Sequence, residues 1–176
     1  MPLHTLTSER LDIFYEQILK SWNITDKGLQ DIKFGTLHLR QEWSCQPLDV
    51  ASVQGHLIII TLIIENGADV CSKDNDERTA LHQAAWGGYV EVVNVLISND
   101  AEINAKDNYG DAALHREASG GYVEVVKVLS DHDAEINAED NDGWTALHRA
   151  AWGGNVGVRK ILINNDAKIN AKVNSG

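Results

Sequence analysis

Cysteine, long apolar runs and positive charge are all scarce in this chain of 176 residues, and each scarcity removes a class of function. Two cysteines, Cys45 and Cys71, cannot build a disulfide scaffold. The first twenty residues include Glu9, Arg10, Asp12 and Glu16 and do not read as a signal peptide, so both thiols are expected to be free. For the same reason the glycosylation pattern Asn23-Ile24-Thr25 is expected to be unmodified. The longest apolar run, Leu57 to Ile64, has eight residues broken by Thr61, far short of the ~20 that cross a bilayer. Fifteen lysines and arginines face 26 aspartates and glutamates, for a net charge of −11. Nucleic acid is thereby disfavoured as a partner, because such affinity rests on cations that neutralise phosphates, and an anionic membrane surface is disfavoured with it. The expected location is intracellular, in cytoplasm or nucleus, or in a host cytosol if a microbe delivers the protein.

What is present is a period. Leu48, Leu81, Leu114 and Leu147 are 33 residues apart, as are Gly55, Gly88, Gly121 and Gly154, and Ala68, Ala101, Ala134 and Ala167. Three segments align without a gap: Thr79-Ala-Leu-His82-Gln-Ala-Ala85, Ala112-Ala-Leu-His115-Arg-Glu-Ala118 and Thr145-Ala-Leu-His148-Arg-Ala-Ala151. A more diverged copy from Gln46 to Val70 keeps the phase. The chain therefore divides into a leader, residues 1–40, four units at 41–73, 74–106, 107–139 and 140–172, and a short tail. In the third unit Val123, Val125, Val126, Val128 and Leu129 leave Glu124 and Lys127 on the opposite side, a helical pattern. Helices this short cannot bury an apolar face alone, so neighbouring units must stack.

These segments resemble the ankyrin repeat, whose pattern runs Gly-x-Thr-Pro-Leu-His-x-Ala-Ala, then Gly-His-x-Glu-Val-Val, then Gly-Ala-Asp-Val-Asn. The resemblance covers residues 41–172 and implies a mainly α fold, a solenoid of stacked helix-turn-helix units joined by β-hairpin fingers. It also implies the family's usual role of gripping other proteins, with contacts from the finger tips and the exposed end of each first helix. Carried over by column, the tips are Trp43 and Cys45, Asp76 and Arg78, Tyr109 and Asp111, and Asp142 and Trp144. The helix-end column holds Val53, Trp86, Ser119 and Trp152, with Gln83, Arg116 and Arg149 just before it. Family analogy further marks Asn104, Asn137 and Asn170 as candidates for asparagine hydroxylation.

Several departures carry expectations of their own. The run Leu57–Ile64 is apolar nearly all round and needs cover on more than one side. The leader can supply it: Ser8 can cap a helix in which Leu11, Phe14, Tyr15, Ile18 and Leu19 form one stripe, so residues 1–40 are expected to fold as a helical N-terminal cap. Arg159 and Lys160 predict a polar outer face for the last unit. Asp100, Asp133 and Asp166 stand where the family ends its second helix with glycine, and are expected to adopt a left-handed backbone. Thr79 and Thr145 occupy N-cap positions that Ala112 leaves without a hydroxyl, a loss of about 0.5–2 kcal/mol. With Glu117 in an alanine column and Ser130 in an isoleucine column, the third unit is expected to open most easily.

No chemistry is assigned to the chain. His82, His115 and His148 recur at the repeat period, which spaces them by about one helix-packing distance, ~8–10 Å, too far for joint ligation of a zinc ion. They are expected to hydrogen-bond within and between fingers. The glycine pairs Gly87-Gly88, Gly120-Gly121 and Gly153-Gly154 fall in helix-to-helix turns with no Lys-Ser/Thr after them, so they do not form a phosphate loop. No catalytic residue, cofactor or metal site is predicted.

The aromatic residues of the contact columns read as interface anchors, although Trp86 and Trp152 could instead pack against neighbouring fingers. Segment charges of 0 for residues 1–40, −3, −4 and −6 for the first three units and +2 for residues 140–176 place the acidity in the middle of the stack. Asp76, Glu77, Asp111 and Asp142 are therefore expected to steer a basic segment of a partner onto the concave face. The chain reads as a monomeric protein–protein interaction module: an adaptor, scaffold or inhibitor. The alternative is a regulatory or substrate-recruiting fragment of a larger enzyme or channel.

Overall fold

The computed structural model describes residues 47–65 and 67–174. Eight helices follow one another there: α1 (Pro47–Val53), α2 (Leu57–Glu65), α3 (Ala80–Trp86), α4 (Val90–Ser98), α5 (Ala113–Gly120), α6 (Val123–Asp131), α7 (Ala146–Trp152) and α8 (Val156–Asn164). Each unit is thus a helix pair. First helices pack on first helices, α1 on α3, α3 on α5 and α5 on α7, while α2, α4, α6 and α8 form the second row.

Helices of seven to nine residues lie below the ~12–15 needed for a helix to persist alone, so the stack holds them. In α4, Val92, Val93 and Leu96 are buried while Glu91 and Asn94 meet water; in α6, Val125, Val126 and Leu129 repeat the arrangement. Leu48, Leu81 and Leu114 add a buried column from the first helices. The turn between the helices has no room for a side chain. Gly88 has φ +74°, and a Cβ there would lie 2.5 Å from the ring of Tyr122 in the next unit. The second helices end as expected, with Asp100, Asp133 and Asp166 at φ 64°, 62° and 61°.

The fingers are tight turns rather than β-hairpins: among the described residues only Lys73 and Thr79 form a bridge. The other fingers close with two backbone bonds each, from Asp107 N–H to the Asp111 carbonyl and Gly110 N–H to the Asp107 carbonyl, and from Asp140 N–H to the Trp144 carbonyl and Gly143 N–H to the Asp140 carbonyl. The leader, and with it the expected cap, lies outside the described residues, and in α2 only Ile60 and Ile63 are buried while Ile58 is exposed. The outer face of the last unit is not simply polar. Lys160 is exposed, but so are Val156, Ile163 and Ile169, whose counterparts Val123, Ile97 and Ile136 pack against the core under a following unit.

The missing threonine at Ala112 removes less than expected. The backbone N–H of Ala112 still donates to His115 Nδ1 at 3.2 Å, as Thr79 does to His82 at 3.1 Å, so the helix start keeps its main-chain cap.

Candidate protein-binding surface

Each finger is folded around one carboxylate. Asp74 Oδ1 accepts the N–H groups of Asp76 and Arg78, at 2.9 and 2.8 Å. Asp107 does the same for Tyr109 and Asp111, and Asp140 for Asp142 and Trp144. A short carboxylate that accepts two nearby backbone donors defines the turn and aims its tip. These three aspartates are 33 apart, so the period marks them, yet they are absent from the contact columns carried over from the family.

Histidines fasten finger to helix. The N–H of Thr79, Ala112 and Thr145 donates to Nδ1 of His82, His115 and His148, which leaves each neutral ring its proton on Nε2. That N–H donates onward to the carbonyls of Asp111, Ala138 and Ala171, at 3.0, 3.0 and 3.1 Å. Both nitrogens of each ring are thereby used structurally. Burial drives the pKa of His82 and His115 below the ordinary 6.5 and keeps them neutral, against the pull of the carbonyls they bond.

The arginines of the contact columns are tied to the finger carboxylates. Arg149 Nη2 lies 2.6 Å from Asp140 Oδ2 and 3.0 Å from Asp111 Oδ1, linking two successive fingers. Arg78 pairs with Asp76 at 2.8 Å and stands 3.8 Å from Asp107, which Arg116 also approaches at 3.8 Å. Gln83 reaches Asp74 at 3.4 Å. Burial would raise the Asp140 carboxyl, but the N–H groups of Trp144 and Asp142 and the Arg149 guanidinium outweigh it and hold the group below its usual range. Asp111 moves the other way: burial pushes it up and Arg149 only partly offsets that.

The columns expected to meet a partner separate into two kinds. In the helix-end column Val53, Trp86, Ser119 and Trp152 are all exposed, Trp86 at 56% and Trp152 at 83%, so neither indole is spent in the groove between units. At the tips, Tyr109 is 58% exposed, Asp142 is exposed and Asp76 is half-buried. Asp111, in contrast, is 5% exposed; its carboxylate points to Arg149 rather than to solvent, because the turn around Asp107 rotates it inward. Trp144 is half-buried, its ring centroid 5.9 Å from that of Trp152 at an interplanar angle of 71° and 6.0 Å from that of His148. Trp43 and Cys45 lie outside the described residues. Of the four carboxylates expected to steer a partner, Asp76 pairs with Arg78, Glu77 with Lys73 and Asp111 with Arg149; among the described residues only Asp142 is without a cation.

The centre of this face contains one residue that its sister units lack. Glu117 stands where Ala84 and Ala150 are found and is fully buried. Its Oε1 accepts the N–H of Tyr122, which in the sister turns goes to a main-chain carbonyl, from Tyr89 to Ala84 and from Asn155 to Ala150. Helix α5 runs one residue longer than α3 and α7 as a result, and Asn155 of the next unit takes up the carbonyls of Ala118 and Ser119, both at 2.9 Å. The other oxygen, Oε2, has no hydrogen-bond partner among the described residues. Burial lifts this carboxyl from 4.5 to about 8, against the pull of the Tyr122 N–H.

Between units, Asn104 donates to the Asp133 carbonyl at 3.1 Å and accepts the N–H of Glu135 at 2.9 Å, and Asn137 repeats the bridge to Asp166 and Lys168. Cys71, in the same column of the first unit, reaches the Asp100 carbonyl with its sulfur at 3.5 Å. Among the described residues, no helix is long and apolar enough to cross a membrane.

No curated protein matches the chain. A family model described as ankyrin repeats (3 copies) matches residues 10–107 and 105–173, so the match takes in part of the leader as well as every described unit. Ankyrin repeats are in general protein–protein interaction modules, and typically non-catalytic. With stacked helix pairs, left-handed aspartates at the helix ends and histidines that fasten fingers to helices, this chain belongs to the ankyrin repeat family.

Proposed function

We propose that this chain is an interaction module, an adaptor, scaffold or inhibitor with no chemistry of its own, that acts inside cells as a monomer. It grips a protein partner through the finger tips and first-helix ends. The observation that carries this reading is the exposure of Trp86, Tyr109 and Trp152 in those two columns. Large rigid rings left in water on a folded face gain the most when a partner covers them, and such anchors typically contribute 2 kcal/mol or more each, on the order of a 30-fold change in affinity.

Charge takes a smaller part than composition alone implies. Arg78, Arg116 and Arg149 are engaged with finger carboxylates, so they hold the face in shape. Exposed acidic groups at Glu102, Asp131, Asp133 and Glu135 give the middle of the stack its field, while Asp142 is the contact-column carboxylate that pairs with no cation among the described residues. This supports a partner with a basic residue near an apolar segment, whose association slows as salt rises.

Affinity capture with the wild-type chain beside a Trp86→Ala/Trp144→Ala/Trp152→Ala variant tests the proposal. Partners should be lost from the variant while its circular dichroism spectrum is kept. Equal retention by a folded variant overturns the site.

A further inference from the structure

Trp152 and Trp144 form a corner at the C-terminal end of this face. Their rings meet edge to face at 5.9 Å and 71°, and Trp152 leaves 83% of its surface in water, more than any other large apolar side chain among the described residues. The corner sits in an unbalanced field. Asp111 and Asp140 contribute two carboxylates that share the Arg149 guanidinium, and Asp142, two residues before Trp144 in the same finger, is exposed and pairs with no cation among the described residues. Arg149 also lies over the Trp144 ring, 5.7 Å from its centroid, so the corner already holds one guanidinium against an indole. The uncovered Trp152 ring and the exposed Asp142 offer the same two elements again, a π face and a carboxylate, with neither engaged by a cation among the described residues.

Resting on the protein-binding reading above, we infer that the Trp144–Trp152 corner is the anchoring subsite and that its occupant is an arginine side chain of the partner, stacked on Trp152 and paired with Asp142. A guanidinium suits the corner better than an ammonium: it is flat, weakly hydrated and able to stack while it donates in its own plane. An aliphatic side chain would cover the ring but gain nothing from the carboxylates. Ser119, between Trp86 and Trp152 in the helix-end column, leaves space for the backbone that leads to this anchor.

A random dodecapeptide library displayed on phage and selected on the intact chain tests this directly. Selected peptides should share an arginine. Synthetic versions should lose about 10-fold in affinity when that arginine becomes citrulline, its neutral isostere, and about 10-fold on Trp152→Ala, the scale expected for a partly desolvated cation–π contact. Asp142→Asn should weaken the arginine peptide several-fold and leave the citrulline peptide unchanged. Trp152 is so exposed that its alanine variant should melt with the wild type, and this is checked first. Peptides without arginine that still depend on Trp86 and Trp152 would overturn the arginine subsite and leave the protein-binding face standing. Peptides that bind the triple tryptophan variant as well as wild type, or no enrichment at all, would overturn both.

Discussion

Replacing Glu117 should change how the stability of this protein depends on pH, and the sign follows from its burial. The carboxyl titrates near 4.5 in the unfolded chain and near 8 in the folded one. Between those values the folded state holds a proton that the unfolded state has released, so stability falls as pH rises, by about 1.4 kcal/mol per unit. The stabilising side of this linkage is fully present below pH 4.5, is lost progressively up to about pH 8 and is absent above it. Over the whole window the loss sums to about 5 kcal/mol, an upper figure because local opening of the turn can hydrate the carboxyl before the stack unfolds. Glu117→Gln keeps the shape and cannot ionise; Glu117→Ala restores the residue of the sister units and lets the Tyr122 N–H return to a main-chain carbonyl. His82 and His115, whose folded pKa lies below 6.5, act in the opposite sense, with stability lost as pH falls below that value, but they are common to all variants and cancel in the difference. Urea unfolding at pH 5, 6.5 and 8 is the assay. Both variants should gain on wild type as pH rises, reaching about 3–5 kcal/mol at pH 8. A difference between wild type and Glu117→Gln that stays flat from pH 5 to 8 would refute the buried, neutral carboxyl.

Three further outcomes are expected. Glu77 has φ 61° in the finger column where Gly110 and Gly143 stand, so Glu77→Gly should stabilise by about 1 kcal/mol; an unchanged or lower urea midpoint would contradict this. Its ion pair with Lys73 is exposed and contributes little. Asp140→Ala strands the N–H groups of Asp142 and Trp144 and leaves Arg149 with Asp111 alone, for an expected loss of about 1.5–3 kcal/mol at pH 7. Because that carboxyl is held below its usual range, the gap to wild type should narrow as pH falls through it, which acid unfolding curves can check. Ala112→Thr should add only about 0.5 kcal/mol, the low end for an N-cap, since the main-chain bond to His115 is already made; a gain near 2 kcal/mol in thermal or urea unfolding would show that the hydroxyl is the principal cap.

The fold was legible because a stack of identical units writes every contact between neighbours into the sequence at one period. Leu81 and Leu114 are buried, His82 and His115 fasten fingers to helices, and Asp100 turns left-handed for the reason their columns repeat. The exposed line from Val53 to Trp152 was legible on the same basis, through family resemblance. The finger carboxylates Asp74, Asp107 and Asp140 recur just as plainly, yet a period alone does not tell a turn-forming aspartate from a solvated one.

What a column cannot express is the direction of a side chain within a turn, or the answer a single odd residue finds. Asp111 shares its column with Arg78 and Trp144, and only the closed turn around Asp107 directs its carboxylate inward to Arg149. Glu117 departs from alanine in sequence, but its burial, the longer α5 and the capture of two carbonyls by Asn155 are set by packing between units. The sequence by itself determined the repeat and the stacking, since these follow from periodic burial, while the columns expected to meet a partner came from the family resemblance. The tertiary structure decided which charges are already neutralised and which rings remain in water, because pairing and exposure depend on distances across units that spacing along the chain does not encode.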